Sequence, residues 1–261
     1  MPRIDVLADG YPLTTDAGTL AYCSILLIEG EKRLVFDSGH VGRRNLLLSR
    51  LAARGLGPQD VDLVLLSHAH WDHVQNCDLF ENATILLHPH ERLYASRPHR
   101  NDWATPRWTG TMLETLRLQE AGEGYEVMPG CRVVDLPGHS AGTIGLEVET
   151  DAGRCWVVSD ALPNGRAALT GKVSYIFWNQ ALAEASVKRC LAADALLYPG
   201  HDRPFRVRDG EAVYASEAQP LTVHGAGPGT PAVRFDANPL TPPPHVMAGI
   251  EEQTLERLRE T

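Results

Sequence analysis

The chain has 261 residues, 43% of them hydrophobic, and carries 24 Lys and Arg against 33 Asp and Glu, for a formal net charge of −9. That apolar content supplies a sizeable core and excludes disorder as a general description. The acidic balance makes the surface a poor non-specific partner for polyphosphate chains or anionic lipid. No apolar run approaches the ~18 residues of a spanning helix, and Met1-Pro2-Arg3-Ile4-Asp5 has no basic stretch leading into an apolar one, so neither membrane insertion nor a secretory signal is expected. The five cysteines (Cys23, Cys77, Cys131, Cys155, Cys190) are scattered and form no C-x-x-C, which suits a reduced compartment; the expected location is cytoplasmic.

In chain order, residues 20–28 and 34–36 are β-rich runs flanking the turn Glu29-Gly30-Glu31 and read as a hairpin. Residues 45–54 carry Leu47, Leu48, Leu51 and Ala52 at helical spacing and stop at Gly55. The continuous apolar run 61–66 is too short for a helix and reads as a strand buried on both faces. Further strands are expected at 84–87, 131–136, 144–148, 155–158 and 195–198. A helix is expected at 179–193, with Leu182, Ala185, Ser186, Arg189 and Cys190 on one stripe. Strands interleaved with helices, several at hairpin spacing, predict an α/β sandwich with mixed sheets. Residues 97–110 are rich in Arg, Pro and Trp and show no period. Residues 225–244 are Gly- and Pro-rich, and 246–259 resume a helical pattern through Met247, Ile250, Leu255 and Leu258. The division expected is a domain over 1–210 and an extension over 211–261 whose terminal helix packs back on it or forms an oligomer interface.

Chemistry concentrates at strand ends. His68-Ala69-His70-Trp71-Asp72-His73 follows the strand at 61–66 and packs three imidazoles and a carboxylate into six residues. Such donors suit Zn²⁺ and related divalent ions, and a strand running into a loop lets neighbouring side chains diverge toward two ions. Three further donors follow strands in order: His139 in Pro137-Gly138-His139, Asp160 after Ser159, and His201 in Pro199-Gly200-His201.

This ordered set resembles the metallo-β-lactamase superfamily, in which H-x-H-x-D-H is followed by His, Asp and His at strand ends. The resemblance runs from about Leu20 to Phe205 and includes Phe36-Asp37-Ser38-Gly39, which matches the early D-[ST]-G turn. The segment from Ala181 to Val207 is most similar to the small single-domain members, the group called metallo-β-lactamase domain-containing protein 1. The resemblance implies an αββα sandwich of two mixed sheets with outer helices and a two-metal site at one edge. It implies His68, His70 and His139 on the first ion, Asp72, His73 and His201 on the second, and Asp160 bridging, with Asp72 also catalytic. The ions would be Zn²⁺, with Mn²⁺ or Fe²⁺ as alternatives. A water shared by the pair would ionise near pH ~7 and attack the carbonyl of a small ester, thioester or lactone. Pro163 stands where acyl-homoserine lactonases carry Tyr, and neither the added helical domain of glyoxalase II nor the inserted domain of the nuclease branch is matched.

Other readings stay open at this point: a nuclease or phosphodiesterase on the same fold, iron-dependent oxygen or sulfur chemistry, and a metal-binding scaffold without turnover. Gly138-His139-Ser140-Ala141-Gly142 also fits the G-x-S-x-G elbow of a serine hydrolase using Ser140, although 143–150 alternates like a strand where that motif needs a helix. His88-Pro89-His90 is expected to end a strand and start a helix, and Cys77, four residues after His73, to be packed in the helix there rather than to be a ligand. Asp37 is expected to hydrogen-bond a metal-binding histidine rather than touch metal. Trp103, Trp108 and Arg107, with residues 10–18, are candidates for a substrate rim. The expected partner is a small molecule, with no nucleic acid and no membrane.

Overall fold

Alternating side chains buried on both faces lay down two sheets, one against the other. The structure is a computed structural model that describes residues 1–15, 18–218 and 255–256, with the side chains of 12–20 outside that description. The first half runs β1 (Arg3–Ala8), β2 (Tyr11–Thr15), β3 (Gly18–Tyr22), β4 (Ile25–Glu29), β5 (Arg33–Phe36) and α1 (Arg44–Ala52). It continues through β6 (Leu63–Leu65), α2 (Trp71–Val74), β7 (Thr84–Leu87), α3 (Pro89–Ser96), α4 (Thr109–Leu113) and β8 (Leu118–Glu120). The second half contains β9 (Glu126–Met128), β10 (Cys131–Asp135), β11 (Ile144–Thr150), β12 (Gly153–Ser159), α5 (Gly165–Thr170) and α6 (Gln180–Ala192). Strands β13 (Leu196–Pro199), β14 (Phe205–Arg208) and β15 (Glu211–Tyr214) complete it.

The first sheet has the order β1-β4-β5-β6-β7-β8 and the second β15-β14-β13-β12-β11-β10-β9, while β2 and β3 pair as a separate ribbon. Both large sheets are mixed. In the first, β1, β4 and β5 are antiparallel and β5 to β8 parallel. In the second, β12 and β13 are parallel and the other pairs antiparallel. Period-two alternation divides each strand between two layers. Leu26, Ile28, Phe36 and Leu65 face Val133, Ile144, Leu146 and Val157 across the gap between the sheets. Their neighbours Leu27, Val35 and Val64 point outward against Leu47 and Leu51 of α1, and Val158 and Leu197 pack on Ala183 and Val187 of α6. Each such side chain contributes ~1.5–3 kcal/mol when fully buried. The result is the α/β sandwich of mixed sheets that the strand and helix pattern predicts, in the αββα arrangement that the resemblance implies.

Three details depart from the sequence reading. Residues 20–28 are not one strand: the chain leaves the β2–β3 ribbon at Tyr22 and enters the first sheet at Ile25. The turn between them is fixed by the Ser24 amide donating to the Gly200 carbonyl oxygen at 2.6 Å. The buried stripe of α6 is Ala183, Ser186, Val187 and Cys190, while Leu182, Ala185 and Arg189 are exposed. The face that packs on the second sheet sets this rotation; Asn179 caps the helix, its Oδ1 accepting from the Leu182 amide at 3.0 Å. The boundary at 210 falls in the turn of the β14–β15 hairpin, so the second sheet continues to Tyr214. The terminal helix expected at 246–259 lies outside the described residues except 255–256, which are helical; Leu255 packs against the cluster of Tyr94, Ala141 and Trp178. No helix among the described residues is long and apolar enough to cross a membrane.

Candidate metal centre

One edge of the sandwich gathers the ends of several strands. Asp37 follows β5, the segment 67–73 follows β6, Ser159 and Asp160 close β12, His201 follows β13, and His139 sits in the turn joining β10 to β11. The loops that follow these strand ends therefore meet at one place. Backbone strain collects at the same edge: Asp37 and Ser159 have left-handed φ of 55° and 45°. Gly200 is required for space, since a Cβ there would run into the Asp160 carboxylate.

The seven donors meet, and all are buried. His70 Nδ1 lies 2.9 Å from both His68 Nε2 and His139 Nε2, forming one group. Asp72 Oδ2 lies 3.5 Å from His73 Nε2 and 3.4 Å from His201 Nε2, forming a second. Asp160 reaches both, at 3.4 Å from His139 Nε2 and 3.2 Å from His201 Nε2. Within each of the groups His68/His70/His139, Asp72/His73/His201 and His68/His73/Asp160, the ligand atoms lie within 4.8 Å of one another. His73 Nε2 and Asp160 Oδ1 are buried without any hydrogen-bond partner. Buried lone pairs and carboxylate oxygens turned on a common point, with protein donors missing, are what a divalent cation satisfies. The residues fit such ions.

The electrostatics differ across the cluster. Burial, reinforced by the neighbouring imidazoles, pushes His68 well below the ordinary histidine value. Burial also holds His139 at about 3 despite Asp160. For His73, burial acts downward, but Asp72, Asp37 and Asp160 outweigh it and push the imidazole up to about 10. His201 is likewise raised, burial being overcome by Asp160 and Asp72. Burial alone would raise the Asp160 carboxyl, yet His201 and His73 bring it well below the usual carboxylate range.

A buried hydrogen-bond network holds the donors. Asp37 Oδ2 lies 2.7 Å from His73 Nδ1, and its two oxygens accept from the Ser67 amide at 2.7 Å and the Ser67 hydroxyl at 2.8 Å. Ser67 Oγ lies 2.9 Å from His68 Nδ1 and accepts from Ser159 Oγ at 2.8 Å. Fully buried Glu91 accepts from the Ala69 amide at 2.8 Å, and from the Ser140 hydroxyl and Gly142 amide at 2.7 Å each. That carboxylate therefore ties the loop of His68 and His70 to the loop of His139. Sequence reasoning singled out Asp37 but missed the parts played by Ser67, Glu91 and Ser159. A charged residue at a helix position that must be buried, as Glu91 is in α3, leaves no local signal.

Ser140 is not an elbow nucleophile. Its hydroxyl is buried, donates to Glu91 and lies 2.8 Å from Thr143 Oγ1, and strand β11 follows instead of a helix. His88 caps α3 through Nδ1, with Pro89 at its first position, and Cys77 is buried in the outer core of the first sheet, as expected. Of the rim candidates, Gly10 packs against the backbone of Gly200 and His201, and Trp103 borders the site through Phe177. Its ring lies 5.5 Å from Phe177, which packs 4.7 Å from His70 and 5.7 Å from His139, and 5.8 Å from Tyr175. Arg107 and Trp108 are exposed, and among the described residues no ring contact or hydrogen bond joins them to the cluster. The side chains of 12–18 lie outside the described residues.

The family model for the metallo-beta-lactamase superfamily matches residues 18–201. The metallo-beta-lactamase domain-containing protein 1 of Xenopus laevis is 30% identical over 210 residues, spanning 78% of this chain and 81% of the relative. An N-acyl homoserine lactonase of Bacillus cereus is 25% identical over 152 residues, 57% of this chain and 58% of that protein, so the match spans little more than half of the lactonase. Among solved structures, a dizinc quorum-quenching lactonase superimposes with a TM-score of 0.61 at 19% identity, covering 76% of this chain and 80% of that one.

Proposed function

The chain belongs to the metallo-beta-lactamase superfamily, and on that premise we propose that it is a hydrolase that uses two divalent ions to open a small ester, thioester or lactone. The observation that carries the proposal is the reach of one carboxylate, Asp160, into two separate buried donor groups. His68, His70 and His139 would hold the first ion, Asp72, His73 and His201 the second, with Asp160 between them. Zinc suits this imidazole-rich set. Bound there, the ions supply an activated water at neutral pH and positive charge to offset what develops on the carbonyl oxygen.

The remaining tasks fall to the chain itself. Asp72, with Oδ2 facing His73 and His201, is the group we assign to take a proton and return it to the leaving group. Phe177, Trp103 and Tyr175 form an apolar wall beside His70 and His139, suited to the non-polar part of an acyl substrate and to excluding bulk water. The similarity to an N-acyl homoserine lactonase supports an acyl bond. A polymer phosphodiester needs a basic track for several phosphates, whereas this chain carries −9 and a rim built of aromatic rings. We therefore propose a small-molecule substrate and no nucleic acid partner.

The test is a panel of lactones, thioesters, esters and β-lactams set beside single-stranded RNA and DNA, run with metal-replete and chelated protein. Metal-dependent acyl hydrolysis that a His70→Ala protein lacks supports the reading. Metal-dependent nucleic-acid cleavage without acyl hydrolysis would overturn the substrate class.

A further inference from the structure

The imidazoles of the cluster do not all face it the same way. His68, His73 and His201 turn Nε2 inward, and each has an outward partner for Nδ1: Ser67 Oγ at 2.9 Å, Asp37 Oδ2 at 2.7 Å and the Tyr22 carbonyl oxygen at 3.1 Å. His139 also turns Nε2 inward. His70 is reversed. Its Nδ1 faces His68 and His139, and its Nε2 points out toward Asp102 Oδ2 at 3.7 Å.

Asp102 is buried on the loop between α3 and α4, and it is anchored before it meets His70. Oδ1 accepts from the amides of Ala104 at 2.8 Å and Thr105 at 3.0 Å, and Oδ2 accepts from the Tyr94 hydroxyl at 2.8 Å. The loop is also tied to the motif itself, since the Trp71 amide donates to the Ala104 carbonyl oxygen at 2.9 Å. The carboxylate thus stands at a set point beside His70 Nε2. A neutral imidazole carries one N–H, and the nitrogen that faces a carboxylate keeps it, which leaves the other nitrogen as a lone-pair donor.

We propose that Asp102 is a positioning residue: it holds His70 in the Nε2–H form, so that Nδ1 is the lone pair offered to the ion of the His68/His70/His139 group. The part concerning the ion rests on the function proposed above; the part concerning the tautomer does not. Capping the loop requires only Oδ1, whereas Oδ2 accepts from Tyr94 and stands 3.7 Å from His70 Nε2, a buried nitrogen with no hydrogen-bond partner among the described residues. A carboxylate behind a ligating imidazole fixes its orientation and raises its basicity, and losing such a partner costs roughly 10–100-fold in metal affinity.

Asp102→Asn keeps the size and the Oδ1 acceptor but sets an NH₂ donor where His70 Nε2–H needs an acceptor. Two measurements read its effect. In metal-free protein with ¹⁵N-labelled histidine, assigned by comparison with His70→Gln, two-bond ¹H–¹⁵N correlations should show His70 as Nε2–H in the parent and shifted toward Nδ1–H in Asp102→Asn. Zinc titration against a chromophoric chelator should show one of the two sites weakened by roughly 10–100-fold. Tyr94→Phe removes an anchor of the loop but leaves the acceptor, and should change neither readout. An Nδ1–H form of His70 in the parent would overturn the proposal even if Asp102→Asn failed to fold. An unchanged tautomer and affinity in Asp102→Asn would also overturn it, as would equal losses in Tyr94→Phe. A parent that binds no zinc would defeat the metal reading instead, leaving the tautomer measurement to judge Asp102.

Discussion

The two donor groups share one buried cluster but solve different problems. The His68/His70/His139 group is built of imidazoles alone, and burial holds His68 and His139 in the neutral form that offers a lone pair. The Asp72/His73/His201 group mixes a carboxylate with two imidazoles whose proton affinity is raised by the surrounding carboxylates, Asp72, Asp37 and Asp160 at His73 and Asp160 and Asp72 at His201. On the proposed reading, the first group would hold its ion through correctly turned nitrogens and the second through charge. Asp160 belongs to both, which is why one residue can couple them.

The sharpest break of this contrast is removal of a nitrogen from the first group. His70→Ala should abolish hydrolysis and empty that group, a larger effect than the roughly 10–100-fold cost of losing an outer partner; metal content and steady-state rates check it. Next is the shared carboxylate: Asp160→Ala should lose the second ion first, seen as a fall toward one equivalent in metal analysis, because the imidazole group keeps its own three donors. Asp37→Asn attacks the outward side of the charge-based group, since it weakens the acceptor for His73 Nδ1. It should cost roughly 10–100-fold in affinity or rate, read by chelator competition.

The smallest effect on turnover is expected at Ser140. Ser140→Ala should keep most of the activity while lowering stability by about 1–3 kcal/mol, because Glu91 stays buried with one donor fewer; urea unfolding and a rate assay separate the two outcomes. Chelators should inactivate the enzyme and serine-directed covalent reagents should not.

How much of this was legible in the sequence depends on the distance between cause and residue. The strand at 84–87 and the helix beginning after Asn179 announce themselves locally, through a buried apolar run and a side chain that caps the next turn. The seven donors were legible because each follows a strand, and the sheets bring those ends to one edge. What stayed hidden is set by partners far away in the chain. Glu91 and Asp102 look like ordinary charged residues of a helix and a loop until the fold brings Ser140 to one and His70 to the other. The split at Tyr22, likewise, comes from the bond between Ser24 and Gly200, 176 positions further on, taking 200 − 24. Trp103 and Trp108 are alike by composition, and only the placement of Phe177 separates the one that borders the cluster.

Two buried donor groups that share Asp160 should hold two ions. Elemental analysis of metal-replete protein, run beside Asp160→Ala, tests this most directly. Two divalent ions per chain are expected in the parent and a fall toward one in the variant; one ion or none in the parent, or two retained without Asp160, would rule out a shared two-ion centre.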